Sequence, residues 1–126
     1  MYKVWKNTSK SFDKIKGRTL SEIRTQLNEY NWDDGFKIPQ EILDSSDCDL
    51  ALALEVFYLA DGYAYLENKE SMVELKEWNQ FISRLYKDIM EHKYRKTDTV
   101  FEIPLSKVQK YKLANKQVPE IFLKDL

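Results

Sequence analysis

Apolar residues recur every three or four positions in block after block of this chain, which is the period of an α-helix. Leu20, Ile23, Leu27 and Tyr30 mark a first helix, capped by Thr19 or Ser21 and running to about Tyr30. Asn31 through Gly35 then supplies turn chemistry, because Asn tolerates a left-handed conformation and Asp-Asp-Gly favours a turn. Pro39 opens a short helix, Pro39–Asp44, with Ile38, Ile42 and Leu43 on its apolar side. The run from Leu50 to Ala60 is apolar nearly all round, the mark of a buried central helix. Asp47 or Asp49 stands where it can cap this helix, and Gly62 where it can supply a left-handed end.

The longest helix is expected over about Ser71–Tyr94, with Leu75, Trp78, Phe81, Ile82, Leu85 and Ile89 as its stripe. Its opposite face carries Lys76, Glu77, Arg84, Lys87, Asp88 and Glu91, several at pairing distance. Thr97–Pro104 reads as extended or loop. A last helix, about Leu105–Asn115, presents Leu105, Val108, Tyr111 and Leu113, and Pro119–Leu123 ends the chain as an apolar plug. The fold class expected is all-α: a single-domain, compact multi-helix bundle of about five helices over residues 1–126. Residues 1–18 form a basic N-terminal segment without a clear period, partly irregular or extended.

Composition supports a folded domain rather than a disordered one, with 43% hydrophobic residues and only three Pro and three Gly in 126 residues. The lone cysteine, Cys48, cannot form an internal disulfide, which fits a reducing compartment. Residues 1–24 lack the apolar centre of a signal peptide, and Leu50–Ala60 is too short for a membrane span and contains Glu55. A cytoplasmic protein without membrane contact is expected.

Charge changes the picture more. The formal net charge is only −1, yet residues 29–67 hold ten acids against Lys37 alone and sum to −9. Residues 1–28 sum to +5 and residues 68–126 to +3. Such polarisation bears on partners and on their electrostatic steering.

The acidic stretch suggests metal chemistry first. The twelve positions from Asp44 to Glu55 superficially match a calcium loop, but Asp49 occupies the place of the required glycine and Leu50 already begins an apolar helix. Capping carboxylates explain the run better. One Cys and one His, Cys48 and His92, fall short of a zinc ligand set. Cys48 lies among acids, which oppose thiolate formation, and His92 sits near the end of a helix, where a cation is favourable in itself. The pair Asp33-Asp34 lies in a turn, where adjacent acids cap and solvate, whereas acid–base work needs burial to shift one of them. Glycines at positions 17, 35 and 62 stand alone, so no phosphate loop is present. Tyr94-Arg95-Lys96 and Lys107–Lys116 interleave bases with aromatics, but no reader motif accompanies them and the sequence pI is about 5.9, so a solvated helix face is the simpler account. Trp78, Phe81, Phe57 and Tyr58 fall at core spacing. Trp32, Phe36, Tyr63 and Tyr65 lie in or beside turns, either pinning them or standing as binding anchors.

Tyr30-Asn31-Trp32-Asp33-Asp34-Gly35-Phe36, Ile38-Pro39, Cys48-Asp49-Leu50, Ala53-Leu54 and Phe57-Tyr58-Leu59-Ala60-Asp61-Gly62 together resemble the signature of a small bacterial family, domain of unknown function 4274. The strings from Leu105 to Leu113 and from Val118 to Leu123 resemble that family's end, so the resemblance covers roughly residues 20–123. The family is similar in size and character to immunity proteins of bacterial toxin–immunity systems. The resemblance supplies no catalytic residues.

The function expected is that of an immunity protein, which binds and neutralises a toxin domain, a nuclease with a basic cleft, through an acidic surface. Asp33, Asp34, Glu41, Asp44, Asp47 and Asp49 would provide attraction, with Trp32 and Tyr63 as anchors. The alternative is a helical protein-interaction or regulatory module with no toxin partner. An enzyme would need Asp33, Asp34 and Asp61 to converge. No catalysis, metal, cofactor or direct nucleic-acid contact is expected, and the oligomeric state stays open.

Overall fold

The computed structural model describes residues 18–68 and 75–126. The protein is all-α: these residues form six α-helices and two 3₁₀ turns, with no strand among them. The chain divides into two compact units, Met1–Cys48 and Asp49–Leu126. The N-terminal segment 1–17 and the expected start of the long helix at 71–74 lie outside the described residues.

In the first unit, α1 (Leu20–Glu29) opens with a reciprocal cap. The Thr19 hydroxyl accepts from the Glu22 N–H at 3.1 Å, and the Glu22 carboxylate accepts from the Thr19 N–H at 2.9 Å. Ile23 and Leu27, four residues apart, are buried. Then comes the 3₁₀ turn Trp32–Asp34, followed by α2 (Lys37–Asp44). The second helix starts two residues before Pro39, because every N–H of a first turn lacks an intrahelical partner and proline fits there generally. Pro39, Ile42 and Leu43 form its buried side.

The second unit is organised around α3 (Leu50–Leu59), of which Leu50, Ala51, Leu52, Ala53, Leu54, Val56 and Phe57 are buried. It packs against α4 (Gly62–Glu67) and α5 (Lys76–Met90), which also meet each other. After α5 the chain is irregular until α6 (Lys107–Asn115), which carries its own reciprocal cap between Ser106 and Gln109. The tail forms the 3₁₀ turn Glu120–Phe122. Phe122 is fully buried between Phe57 of α3 and Tyr86 of α5, at 5.0 Å from each, stacked nearly parallel on Tyr86. Its carbonyl accepts a hydrogen bond from the Tyr58 hydroxyl. Phe101 and Leu126 exchange two backbone hydrogen bonds, and the Ile103 N–H donates to the Asp125 carboxylate at 2.8 Å. The apolar plug is therefore a true core element.

Four expectations change. Gly62 is not the left-handed end of α3; Asp61 takes that conformation at φ 68°. Gly62 instead begins α4, a helix that periodicity missed because Gly-Tyr-Ala-Tyr-Leu-Glu is only six residues long. A Cβ on Gly62 would stand 2.2 and 2.3 Å from the Phe57 ring and 2.6 Å from its carbonyl oxygen, so close approach is what requires glycine here. The long helix stops at Met90 rather than Tyr94, since His92 turns left-handed at φ 61° and the N–H groups of His92 and Lys93 bond back to Ile89 and Asp88. At its other end Leu75 is 52% exposed rather than part of the stripe. In α6 only Leu113 is buried, while Val108 and Tyr111 face solvent.

Two side chains finish helix ends within this unit. The Trp78 indole N–H donates to the Ala60 carbonyl at 2.7 Å, and the Lys116 ammonium donates to the Glu67 carbonyl at 2.6 Å. Both carbonyls belong to the turns where α3 and α4 end.

Two outcomes are expected. Gly62→Ala forces Phe57 to move and lowers stability by about 1–3 kcal/mol; an unshifted denaturant midpoint would refute the close approach. Burial holds the Tyr58 phenol above its ordinary value of 10.0. Being raised in the folded state, it lends stability that is intact below about pH 10 and is lost as pH climbs further. Tyr58→Phe should thus lower the melting temperature at neutral pH yet shrink the alkaline loss, measured by thermal melts on both sides of that pH.

Candidate partner-binding surface

The acidic turn is built by local geometry. The extended Tyr30 ends α1, and Asn31 caps the following turn by accepting from the Asp33 N–H at 3.0 Å. Gly35 closes it at φ 94°, a region where a side chain is strained. The Tyr30 hydroxyl donates to the Gly35 carbonyl at 2.7 Å, which ties both ends of the loop together. Trp32 meets Tyr30 edge-to-face at 5.2 Å and lies tilted against Phe36 at 6.2 Å. Trp32 therefore does both things its position allowed: it pins the turn and remains half-exposed. Asp33 and Asp34 project outward as exposed side chains. Burial, and after it the Asp34 carboxylate, raises the Tyr30 phenol pKa.

Glu41, Asp44 and Asp47 are exposed on α2 and the loop after it. Asp44 accepts from the Gln40 amide at 2.9 Å. Asp47 uses its backbone N–H, at 3.1 Å from the Ser45 hydroxyl, rather than its carboxylate to shape the loop. The position of these acids matters. Asp44 is the last residue of α2 and Glu29 the last of α1, and neither helix has a basic residue in its last turn. A carboxylate at a helix C-terminus meets the negative end of the dipole, so it opposes helix stability by a few tenths of a kcal/mol up to about 1 kcal/mol. Glu29, absent from the acids expected to attract a partner, joins them as the final helical residue of α1.

Asp49 and Tyr63 belong to the second unit and have structural duties. One Asp49 oxygen accepts from the Leu52 N–H at 2.9 Å, capping α3, and the other accepts from the Thr97 hydroxyl at 2.7 Å. The Leu50 N–H bonds to the Arg95 carbonyl at 2.8 Å, so the start of α3 is held to the 95–99 strip twice. The Tyr63 hydroxyl donates to Glu67 at 3.1 Å, and burial followed by that carboxylate raises its pKa. Asp61, the third acid of the enzyme alternative, is exposed. Among the described residues no three His, Cys, Asp or Glu side chains gather to hold a metal ion, and Cys48 is buried as a free thiol. No helix among them is long and apolar enough to cross a membrane.

One family model matches residues 21–90, more than half of the chain. The chain belongs to the family described as domain of unknown function (DUF4274). No curated protein and no solved structure matches it. The DUF4274 match takes in the aromatic turn, α2, α3 and α4 and stops where α5 ends. The strings at 105–113 and 118–123 lie outside it.

Substitution separates the two kinds of acid. Asp49→Ala should cost about 1 kcal/mol or more through the lost cap, whereas Asp33→Asn, Asp34→Asn and Asp47→Asn should each stay within about 0.5 kcal/mol of the parent. Urea denaturation of the four variants checks this, and equal losses at all four positions would make the whole set architectural.

Proposed function

We propose that the protein is an immunity protein that acts by binding, without turnover: it engages a basic toxin domain of nuclease type through the acidic surface of its first unit and blocks it. The observation that carries this reading is the placement of Glu29, Asp33, Asp34, Glu41, Asp44 and Asp47, all exposed, with Glu29 and Asp44 at helix ends where they oppose the dipole. Exposed negative charge, placed in part where it opposes the helix dipole, is suited to a partner. A nuclease cleft shaped for phosphates is basic, and opposite fields speed encounter and set orientation. Trp32, rigid and half-exposed beside Asp33 and Asp34, supplies an anchor of the type that dominates interface energy. Asp49 and Tyr63, committed to α3 and α4, are left out of the contact set. The site of action is the cytoplasm, where a toxin would meet its targets.

Co-expression with the product of the adjacent gene tests the reading: that product should kill alone and be silenced by this chain. The purified pair should form a one-to-one complex whose association slows about tenfold or more as salt is raised. Asp33→Lys with Asp34→Lys and Asp44→Lys should slow association further and weaken salt dependence, while Trp32→Ala should raise the dissociation rate. Charge reversal without effect on either rate removes the acidic surface from the account; absence of killing or of rescue removes the toxin partner and leaves a general interaction module.

A further inference from the structure

The last helix of the second unit carries apolar residues on two sides. Leu113 points into the core, but Val108 and Tyr111 are 62% and 69% exposed. They are three residues apart, so they share one face of α6. Next to Tyr111 runs a shallow groove of about 580 Å³, with Ala114, Val118 and Leu123 as its apolar part. Lysines rim it: Lys107, Lys110 and Lys124 all line the groove. Lys110 is 3.8 Å from Asp125, whereas Lys107 and Lys124 form no salt bridge among the described residues.

An exposed tyrosine and valine contribute nothing to this unit's core, and aromatic side chains in such positions are enriched where proteins meet. We propose that this face docks an acidic segment of a partner protein that carries an aliphatic or aromatic side chain. The apolar side chain lies over Ala114, Val118 and Leu123 against the Tyr111 ring, and flanking carboxylates meet Lys107 and Lys124. Charge complementarity selects the acidic sign. One feature favours a peptide over a nucleic acid: a single exposed ring offers bases little stacking. A second copy presenting its own acids would join two unlike surfaces, a head-to-tail contact that builds rings or filaments rather than a two-fold dimer. The charge of this surface is opposite in sign to that of the acidic turn.

The test uses the full chain, isotope-labelled, titrated by NMR with synthetic peptides about twelve residues long. One alternates Glu with Leu and Phe, a second replaces Leu and Phe by Ser, and a third replaces Glu by Gln; oligothymidylate of equal length is the fourth probe. The first peptide should shift amides of 107–115 and 118–124 and bind about tenfold or more tightly than the other probes. Tyr111→Ala, or Lys107→Glu with Lys124→Glu, should weaken it about tenfold while the melting temperature holds, since these side chains are exposed. Equal binding of the Ser peptide would reduce the face to a counterion cloud and overturn the proposal. Tighter binding of oligothymidylate at the same amides, shifts confined to other surfaces, or self-association abolished by the same substitutions would overturn it as well.

Discussion

A ten-residue helix that is apolar nearly all round cannot sit at a surface, and α3 therefore sets the terms for the unit around it. Leu52, Leu54, Val56 and Phe57 each expose 1% or less of their surface. Water must be excluded from all of them together, and within residues 49–126 α4, α5 and the C-terminal tail do this work. The tail's contribution is Phe122, seated between Phe57 and Tyr86 and held by the Tyr58 hydroxyl at its carbonyl. Truncating a buried phenylalanine of this kind costs about 3–5 kcal/mol, which is comparable to much of a small domain's net stability. The last few residues of the chain thus belong to the core as firmly as its central helix.

The same constraint organises the polar groups of this unit. An apolar helix still has four unpaired N–H groups at one end and four carbonyls at the other. Asp49 serves the first and Trp78 the second, the indole reaching Ala60 from α5. Thr97 and the Arg95 carbonyl tie the irregular strip after α5 to the same helix start. Packing and hydrogen bonding reinforce one another at α5, which both covers α3 and, through Trp78, satisfies its end.

The acids of the first unit follow a different logic. Glu22 closes a capping box at the favourable end of α1, and Asn31 shapes the aromatic turn. Glu29 and Asp44 stand at unfavourable ends, and Asp33, Asp34 and Asp47 point to solvent. Membership in DUF4274 places this arrangement in a family of open function. Proposed binding to a basic partner gives the excess negative charge a purpose that folding alone does not.

Local rules made much of this legible in advance. The Thr19 cap, the break at Asn31–Gly35 and the buried character of Leu50–Ala60 are properties of short stretches, and they were readable because propensity and period act over a few residues. Of the candidate site, the acidic excess and the aromatic turn were visible as composition and turn chemistry. Which acids are spent on architecture was not: Asp47 and Asp49 both stand where they can cap α3, and the structure gives that role to Asp49, which bonds the Leu52 N–H and Thr97, 48 residues away. The role of Gly62, the early stop of α5 at His92 and the outward face of α6 were equally hidden. Each depends on three-dimensional geometry that period and propensity do not carry: the Phe57 ring against Gly62, the left-handed turn at His92, and the exposure of Tyr111. The sequence by itself determined helix content, caps and charge sign, since these arise from neighbours along the chain. Tertiary structure alone decided which apolar faces are covered and which carboxylates stay exposed, because burial is a property of packed surfaces and not of the order of residues.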